Sequence, residues 1–278
     1  IRDPEMSRGL GDVYKRQTYN GDVDKQMKKV IEYFETKQAA AEIYVGTDYK
    51  ETSISSNVYK IIRNCQLQGG LAIACGDAGI GKTQACRQYY REHGTNCTYI
   101  TVNPCIKSSK SVLELIGSKL NVSSGSVSRL WLEISSKLSD GMVIIVDEAQ
   151  HLTRNAIDTL RSLCDCFDEK GQTLGICFVG NETTVSRLGG KQKAEFAQIR
   201  NRTKNTRFYS VKQIKKSDIE MLFPDIREDA AAVEFLLRIA QSPQAIRGAV
   251  NLYSNALDNG NVTAKGLSAI AKYMDMAV

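Results

Sequence analysis

Residues 76–83 read Gly-Asp-Ala-Gly-Ile-Gly-Lys-Thr, a complete phosphate-binding loop, and few octapeptides restrict a fold as tightly. Gly76, Gly79 and Gly81 let the backbone turn so that successive N–H groups, with Asp77, Ala78 and Ile80 between them, point into one concavity. Lys82 supplies a mobile positive charge for the β- and γ-phosphates of a nucleotide, and the Thr83 hydroxyl suits a magnesium ion. The flanks agree. Gly70-Leu-Ala-Ile-Ala-Cys75 is short and apolar, as a buried parallel strand should be. Thr83 to His93 holds neither Gly nor Pro and reads as a helix whose N-terminal dipole faces the phosphates. That strand–loop–helix setting separates the loop from a chance glycine turn.

A second nucleotide element follows 65 residues after Lys82: Met142-Val-Ile-Ile-Val-Asp147-Glu148-Ala-Gln-His151. The four apolar residues 143–146 deliver an acidic pair at the carboxyl end of a strand, the edge at which open parallel sheets bind ligands. Asp147 is placed to hold the magnesium, directly or through a water, and Glu148 is the candidate general base for an attacking water. The next strand, Gly175-Ile-Cys-Phe-Val-Gly180, ends in Asn181, whose amide suits the γ-phosphate or the water. Gly-Asn after a strand also makes a good turn.

From Gly70 onward strands and helices alternate. Strands are expected at 71–75, 97–102, 142–146, 174–179 and 207–211, with helices at 83–93, 108–119, 127–138 and 156–169. Val127, Leu130, Trp131, Ile134 and Leu138 form one helical stripe, which makes Trp131 a core residue. Alternation of this kind implies a parallel sheet covered on both faces. After Val211 the strands stop, and helices are expected at 217–223, 229–240, 244–257 and 263–274. Upstream, 22–36 and 52–65 also read as helices. Ile1 to Gln17 begins without Met, lacks periodicity and resembles a non-native tail.

No apolar run approaches the ~18 residues that span a membrane, and no secretory leader is visible, so a cytoplasmic protein is expected. The eight cysteines do not fall into metal spacings, since Cys164-Asp-Cys166 is one residue too tight. Buried, reduced thiols are the expectation. Net charge is +6, but between Arg187 and Lys216 ten Lys/Arg face a single acid, Glu195, a local +9. Either a solvated face or a phosphate- or subunit-facing surface fits that excess.

Phosphate loop, Val-Asp-Glu strand, strand-terminal Asn and helical tail together resemble an AAA+ ATPase. Within that superfamily, Asp147-Glu-Ala-Gln-His-Leu152, Leu160-Arg-Ser-Leu163 and Val179-Gly-Asn-Glu182 resemble the transposition target-capture group typified by the phage Mu B protein. The resemblance covers roughly residues 18–278. It implies a three-layer α/β P-loop core over 51–212, an all-helical lid over 213–278, and, over 18–50, a helical remnant of an N-terminal DNA-binding region whose recognition helix is replaced by the tail.

The resemblance also implies roles for three arginines. Arg200 or Arg202, in Phe196-Ala-Gln-Ile-Arg-Asn-Arg202, matches the finger that these ATPases donate across a subunit boundary. Arg247, in Ser242-Pro-Gln-Ala-Ile-Arg247, matches the second sensor of the lid. The function implied is a DNA-stimulated ATPase using ATP and Mg²⁺. It would oligomerise as a filament or ring on double-stranded DNA and deliver that DNA to a transposase. Lys107, Lys110 and Arg154 are the candidate DNA contacts. A replication-initiator or loader ATPase that remodels a partner is the alternative, and it would want a second DNA-binding domain after the lid. A signalling ATPase without turnover is disfavoured by the intact Lys82, Asp147 and Glu148.

Overall fold

The computed structural model describes residues 23–43, 49–184 and 203–276. Two units compose the chain, Ile1–Thr47 and Asp48–Val278. In the first, helix α1 spans Val23–Ile43. It runs past Thr36, where the apolar spacing ends, because Lys37-Gln-Ala-Ala-Ala-Glu42 consists of strong intrinsic helix formers.

The second unit opens with α2 (Ser53–Gln68), which starts where the Thr52 hydroxyl accepts the Ser55 N–H and stops at Gly69, whose φ of 63° suits a residue without a Cβ. Strand β1 (Gly70–Gly76) follows, then α3 (Lys82–His93), β2 (Cys97–Thr101), α4 (Ser109–Lys119) and α5 (Val127–Lys137). Strand β3 (Met142–Asp147), α6 (Arg154–Asp168), β4 (Leu174–Gly180) and β5 (Thr203–Tyr209) complete the α/β part. The five strands pair in parallel in the order β2-β3-β4-β1-β5. Crossing from β1 over to β2 and returning through β3 and β4 puts the loops after β1, β3 and β4 at one carboxyl edge.

Alternation along the strands divides the core in two. Leu71, Ile73, Ile144, Val146, Ile176 and Phe178 face α4, α5 and α6. Ala72, Ala74, Val143, Ile145, Cys177 and Val179 face α2 and α3 on the other side. This is the three-layer sandwich that alternating strands and helices require. Trp131 is half-buried against the first cluster, and its Nε1–H donates to the Ser162 hydroxyl at 2.9 Å.

Four helices form the lid: α7 (Lys216–Leu222), α8 (Ala230–Ala240), α9 (Ala245–Asp258) and α10 (Ala264–Tyr273). Val233, Leu236, Ile239, Ala249, Leu252 and Tyr253 continue the cluster on the α2–α3 face, so the lid shares core with the sandwich. Asp218, buried at 2% exposure, fastens the junction: its carboxylate accepts the Ser53 N–H of α2 at 2.6 Å and the Lys215 N–H at 2.9 Å.

One strand lies earlier than its sequence suggests. β5 occupies 203–209, not 207–211, and Val211 sits in a short 3₁₀ turn. The Asp77 carboxylate accepts the Val211 N–H at 2.8 Å, which turns the chain off the sheet. As an edge strand, β5 also needs little apolar patterning, and Lys204, Thr206 and Arg207 lie exposed along it.

The cysteines of the described residues are reduced thiols, six of them buried, with Cys105 exposed and Cys166 partly so. Burial pushes Cys65 and Cys97 up to about 12, which keeps them protonated and inert. No described helix is long and apolar enough to cross a membrane.

Candidate nucleotide site

The phosphate loop closes between β1 and α3. Gly81 caps α3 with φ 96°, so the first free N–H groups of the helix open into the loop. Ile80 is fully buried and anchors the loop from below, while Ala78 is exposed and Asp77 half-buried. Asp77 donates its own N–H to the Tyr209 carbonyl at 3.0 Å, so both its backbone and its carboxylate tie the loop to the end of β5. Gly79 has φ 75°, and a Cβ there would press on Ala245 and Arg247 of α9 at 3.2 Å each. Only a glycine permits that approach of lid to loop.

Lys82 is 9% exposed, and its ammonium donates to the carbonyls of Gly76 at 2.9 Å and Asp77 at 2.6 Å. The charged end therefore lies over the loop concavity. Burial pushes its pKa down, while Asp147, Glu148 and Asp77 pull it back up.

Asp147 ends β3 at 2% exposure, with Oδ1 accepting the Glu148 N–H at 3.0 Å and Oδ2 accepting the Tyr99 hydroxyl at 3.0 Å. Thr83 also hydrogen-bonds this carboxylate. Burial raises the Asp147 pKa, and the bonds from Thr83, the Glu148 backbone and Tyr99 oppose that rise. A hydroxyl and a carboxylate already in contact are the hard oxygen donors that a magnesium ion takes, so the pair fits one. Glu148 is exposed and sits in the left-handed region at φ 57°, ψ 33°, next to the carboxylate edge of the sheet.

Asn181 follows β4 and is exposed. Its Oδ1 accepts the Thr183 N–H at 3.0 Å and the Thr183 hydroxyl at 2.6 Å, the turn that Gly-Asn favours. With the oxygen so engaged, the amide NH₂ is the end that can reach a phosphate oxygen. Arg247 is exposed in the first turn of α9, and its backbone N–H donates to the Gly79 carbonyl at 3.2 Å. Arg200 and Arg202 lie outside the described residues.

Lys107, Lys110 and Arg154 are brought together. The Lys107 carbonyl accepts the Thr153 N–H at 3.0 Å, and the Thr159 hydroxyl donates to Ser109 at 3.0 Å, so the starts of α4 and α6 lie side by side. All three cations are exposed; Lys110 and Arg154 make loose pairs with Glu114 and Asp158, each at 3.9 Å. In the basic segment, Lys204, Arg207, Lys212, Lys215 and Lys216 are exposed as well.

Sequence reasoning passed over Tyr99 and the second role of Asp77. Tyr99 lies on β2, the neighbour of β3, with Thr101 in register with Asp147. The clue was a hydroxyl-bearing aromatic near the end of a strand adjacent to the acidic one.

An AAA domain family matches residues 65–188. The chain is 28% identical over 269 residues to the ATP-dependent target DNA activator B of Escherichia phage Mu, covering 94% of this chain and 81% of the phage protein. It is 27% identical over 264 residues to the Mu-like prophage FluMu DNA transposition protein B of Haemophilus influenzae, covering 91% and 88%. Among solved structures, the Aeropyrum pernix ORC1 protein in complex with DNA shares the fold, with TM-score 0.55, 15% identity, and 83% of this chain and 67% of that one covered.

Proposed function

We propose that this chain, which belongs to the AAA+ ATPases of the Mu B family, couples ATP hydrolysis to assembly on double-stranded DNA and hands that DNA to a transposase. Residues 51–212 serve as the ATPase core, 213–278 as the lid, and 18–50 as part of an N-terminal DNA-binding region. Gly76 to Thr83 hold the phosphates, with Lys82 on the β- and γ-phosphates. A magnesium ion, held by Thr83 and Asp147, would offset phosphate charge. Tyr99 keeps the Asp147 carboxylate oriented. Glu148 takes the proton of the attacking water, and Asn181 offers its amide NH₂ to the γ-phosphate or that water.

Arg247 reaches the γ-phosphate from the lid, and Arg200 or Arg202 of a neighbouring copy neutralises the developing charge. Hydrolysis then depends on assembly, as a filament or ring, and loosens it. DNA is held through its phosphates by Lys107, Lys110 and Arg154, with little regard to sequence.

The observation that carries this reading is the bond between the Lys107 carbonyl and Thr153 N–H. It gathers three exposed cations beside two capped helix N-termini, whose dipoles add to the same positive field. The loop and helix starts that carry them follow β2 and β3, so they lie at the sheet edge that also bears Asp147 and Glu148.

The test is ATP turnover with and without duplex DNA, alongside electron microscopy with a slowly hydrolysed ATP analogue. DNA should stimulate turnover and the analogue should yield DNA-bound assemblies. Lys107→Glu/Arg154→Glu should abolish both while leaving nucleotide binding intact. Equal turnover with and without DNA, or DNA binding untouched by the double charge reversal, overturns the reading.

A further inference from the structure

Two residues beyond Glu148, in the 3₁₀ turn 149–151, Gln150 occupies a position that the ATPase chemistry leaves unassigned. Its Nε2 donates to Glu148 Oε2, and its Oε1 accepts the Asn181 backbone N–H at 3.3 Å. One side-chain amide therefore joins the carboxylate after β3 to the peptide after β4. Gly180 makes room for it, since a Cβ there would overlap both Gln150 Oε1 and the Thr184 hydroxyl. The Asn181 side chain is held apart from this bridge, its Oδ1 accepting from Thr183.

Glu148 needs such a hold. Its side chain is exposed, and its backbone sits in the left-handed region that residues with a Cβ adopt at a cost. A free carboxylate there would sample several rotamers. Hydrogen bonding to an amide anchored on the next strand selects among them before nucleotide arrives, and orientation fixed in advance is what proton abstraction at a bound water requires.

We infer that Gln150 is a positioning residue for ATP hydrolysis, aiming the Glu148 carboxylate by a hydrogen bond braced on the Asn181 peptide. The inference rests on Glu148 being the base. It adds to the sheet pairing of β3 and β4 a second tie, one amide that joins the carboxylate after β3 to the peptide after β4. Movement of the Asn181 peptide is thereby passed to the base.

Gln150→Met keeps the length of the side chain and removes both bonds; Gln150→Glu keeps the acceptor for Asn181 and removes the donor to Glu148. Both should lower kcat by about tenfold and leave KM for ATP within about twofold, the mark of an interaction used in the chemical step. In a Glu148→Gln background, adding Gln150→Met should leave the single-turnover rate unchanged, because a residue that acts through Glu148 has nothing left to position. A wild-type kcat in both variants overturns the inference, as does an equal further loss in the Glu148→Gln background, which a merely structural role predicts. Wild-type turnover in Glu148→Gln alone overturns the assignment of the base, and the role of Gln150 falls with it. Loss in Glu148→Gln with none in the Gln150 variants sinks the role of Gln150 only.

Discussion

The Gly79 carbonyl accepts the Arg247 backbone N–H at 3.2 Å, so the phosphate loop and the first turn of the lid helix α9 are joined through main-chain atoms. A contact of this kind survives any change of the Arg247 side chain and fails when the loop itself changes shape. It separates two effects that a lid arginine would otherwise confound, docking of the lid and contact with phosphate.

Arg247→Ala should therefore leave stability within about 0.5 kcal/mol of the wild type, as for an exposed side chain away from the core. Turnover should drop by about 10², the loss typical of one charge-stabilising donor. Gly79→Ala should lower stability as well as turnover, because it strains the phosphate loop itself. Its left-handed φ of 75° costs a residue with a Cβ about 1–2 kcal/mol, and the methyl group presses on Ala245 and Arg247. Urea denaturation and steady-state kinetics on the two variants distinguish them; equal destabilisation would mean that the Arg247 side chain, not the main-chain bond, docks the lid.

Lys82→Met should remove nucleotide binding without lowering the stability of the nucleotide-free protein. Burial holds the Lys82 pKa below that of a free lysine. The folded state thus disfavours the ammonium, and stability rises as pH rises through the interval between the two pKa values. Deleting the charge should leave the melting temperature equal or higher at neutral pH. Adding ATP should raise the melting temperature of the wild type, through binding to the folded state alone, and leave that of the variant unmoved. A variant that melts well below the wild type would show that its bonds to Gly76 and Asp77 outweigh the cost of burial.

The lid offers a pH test remote from the nucleotide. Tyr253 is buried against Phe223, with ring centroids 4.6 Å apart, and donates its hydroxyl to Asp225 Oδ2 at 3.0 Å. Burial first, then the bond to Asp225 and its charge, push the phenol up to about 12 from an ordinary 10.0. A group whose pKa is raised by folding contributes stability below its unfolded pKa and loses it as pH climbs toward the folded one. Tyr253→Phe should cost about 1 kcal/mol near neutrality, where a hydrogen bond is lost. The gap should narrow as pH rises between 10.0 and about 12. Denaturation midpoints across that range check it, and a gap that widens contradicts it.

What the sequence revealed and what it hid follows from how local each feature is. The loop at 76–83 and the strand ending in Asp147-Glu148 are contiguous runs, and contiguity is what a pattern reading detects. The apolar runs of β1, β3 and β4 likewise pointed to a buried parallel sheet, because both faces are covered. Tyr99 on Asp147, Asp77 on Val211 and Gly79 against Arg247 were hidden, since each depends on which strand neighbours which and on where the lid settles. β5 was misplaced for a related reason: as an edge strand it carries Thr203, Lys204 and Asn205, and the apolar residues that drew attention come at its end or beyond it.

The arginine finger gives the most discriminating measurement, because it tests assembly and chemistry together. If Arg200 or Arg202 acts in trans, replacing it by Ala leaves ATP binding to each copy intact and abolishes DNA-stimulated hydrolysis. Lys82→Ala protein, by contrast, keeps its arginines and loses its own nucleotide. Mixed on DNA, the two inactive proteins should partly restore turnover, since at some boundaries the finger of one copy meets the intact phosphate loop of the other. Recovery should peak near equal proportions and fall toward either end. An arginine that acts within its own chain, or that is merely solvated, gives no recovery at any ratio. A flat result with both Arg200→Ala and Arg202→Ala, each shown to be folded and to bind ATP, would therefore count against hydrolysis at subunit boundaries and not only against one residue.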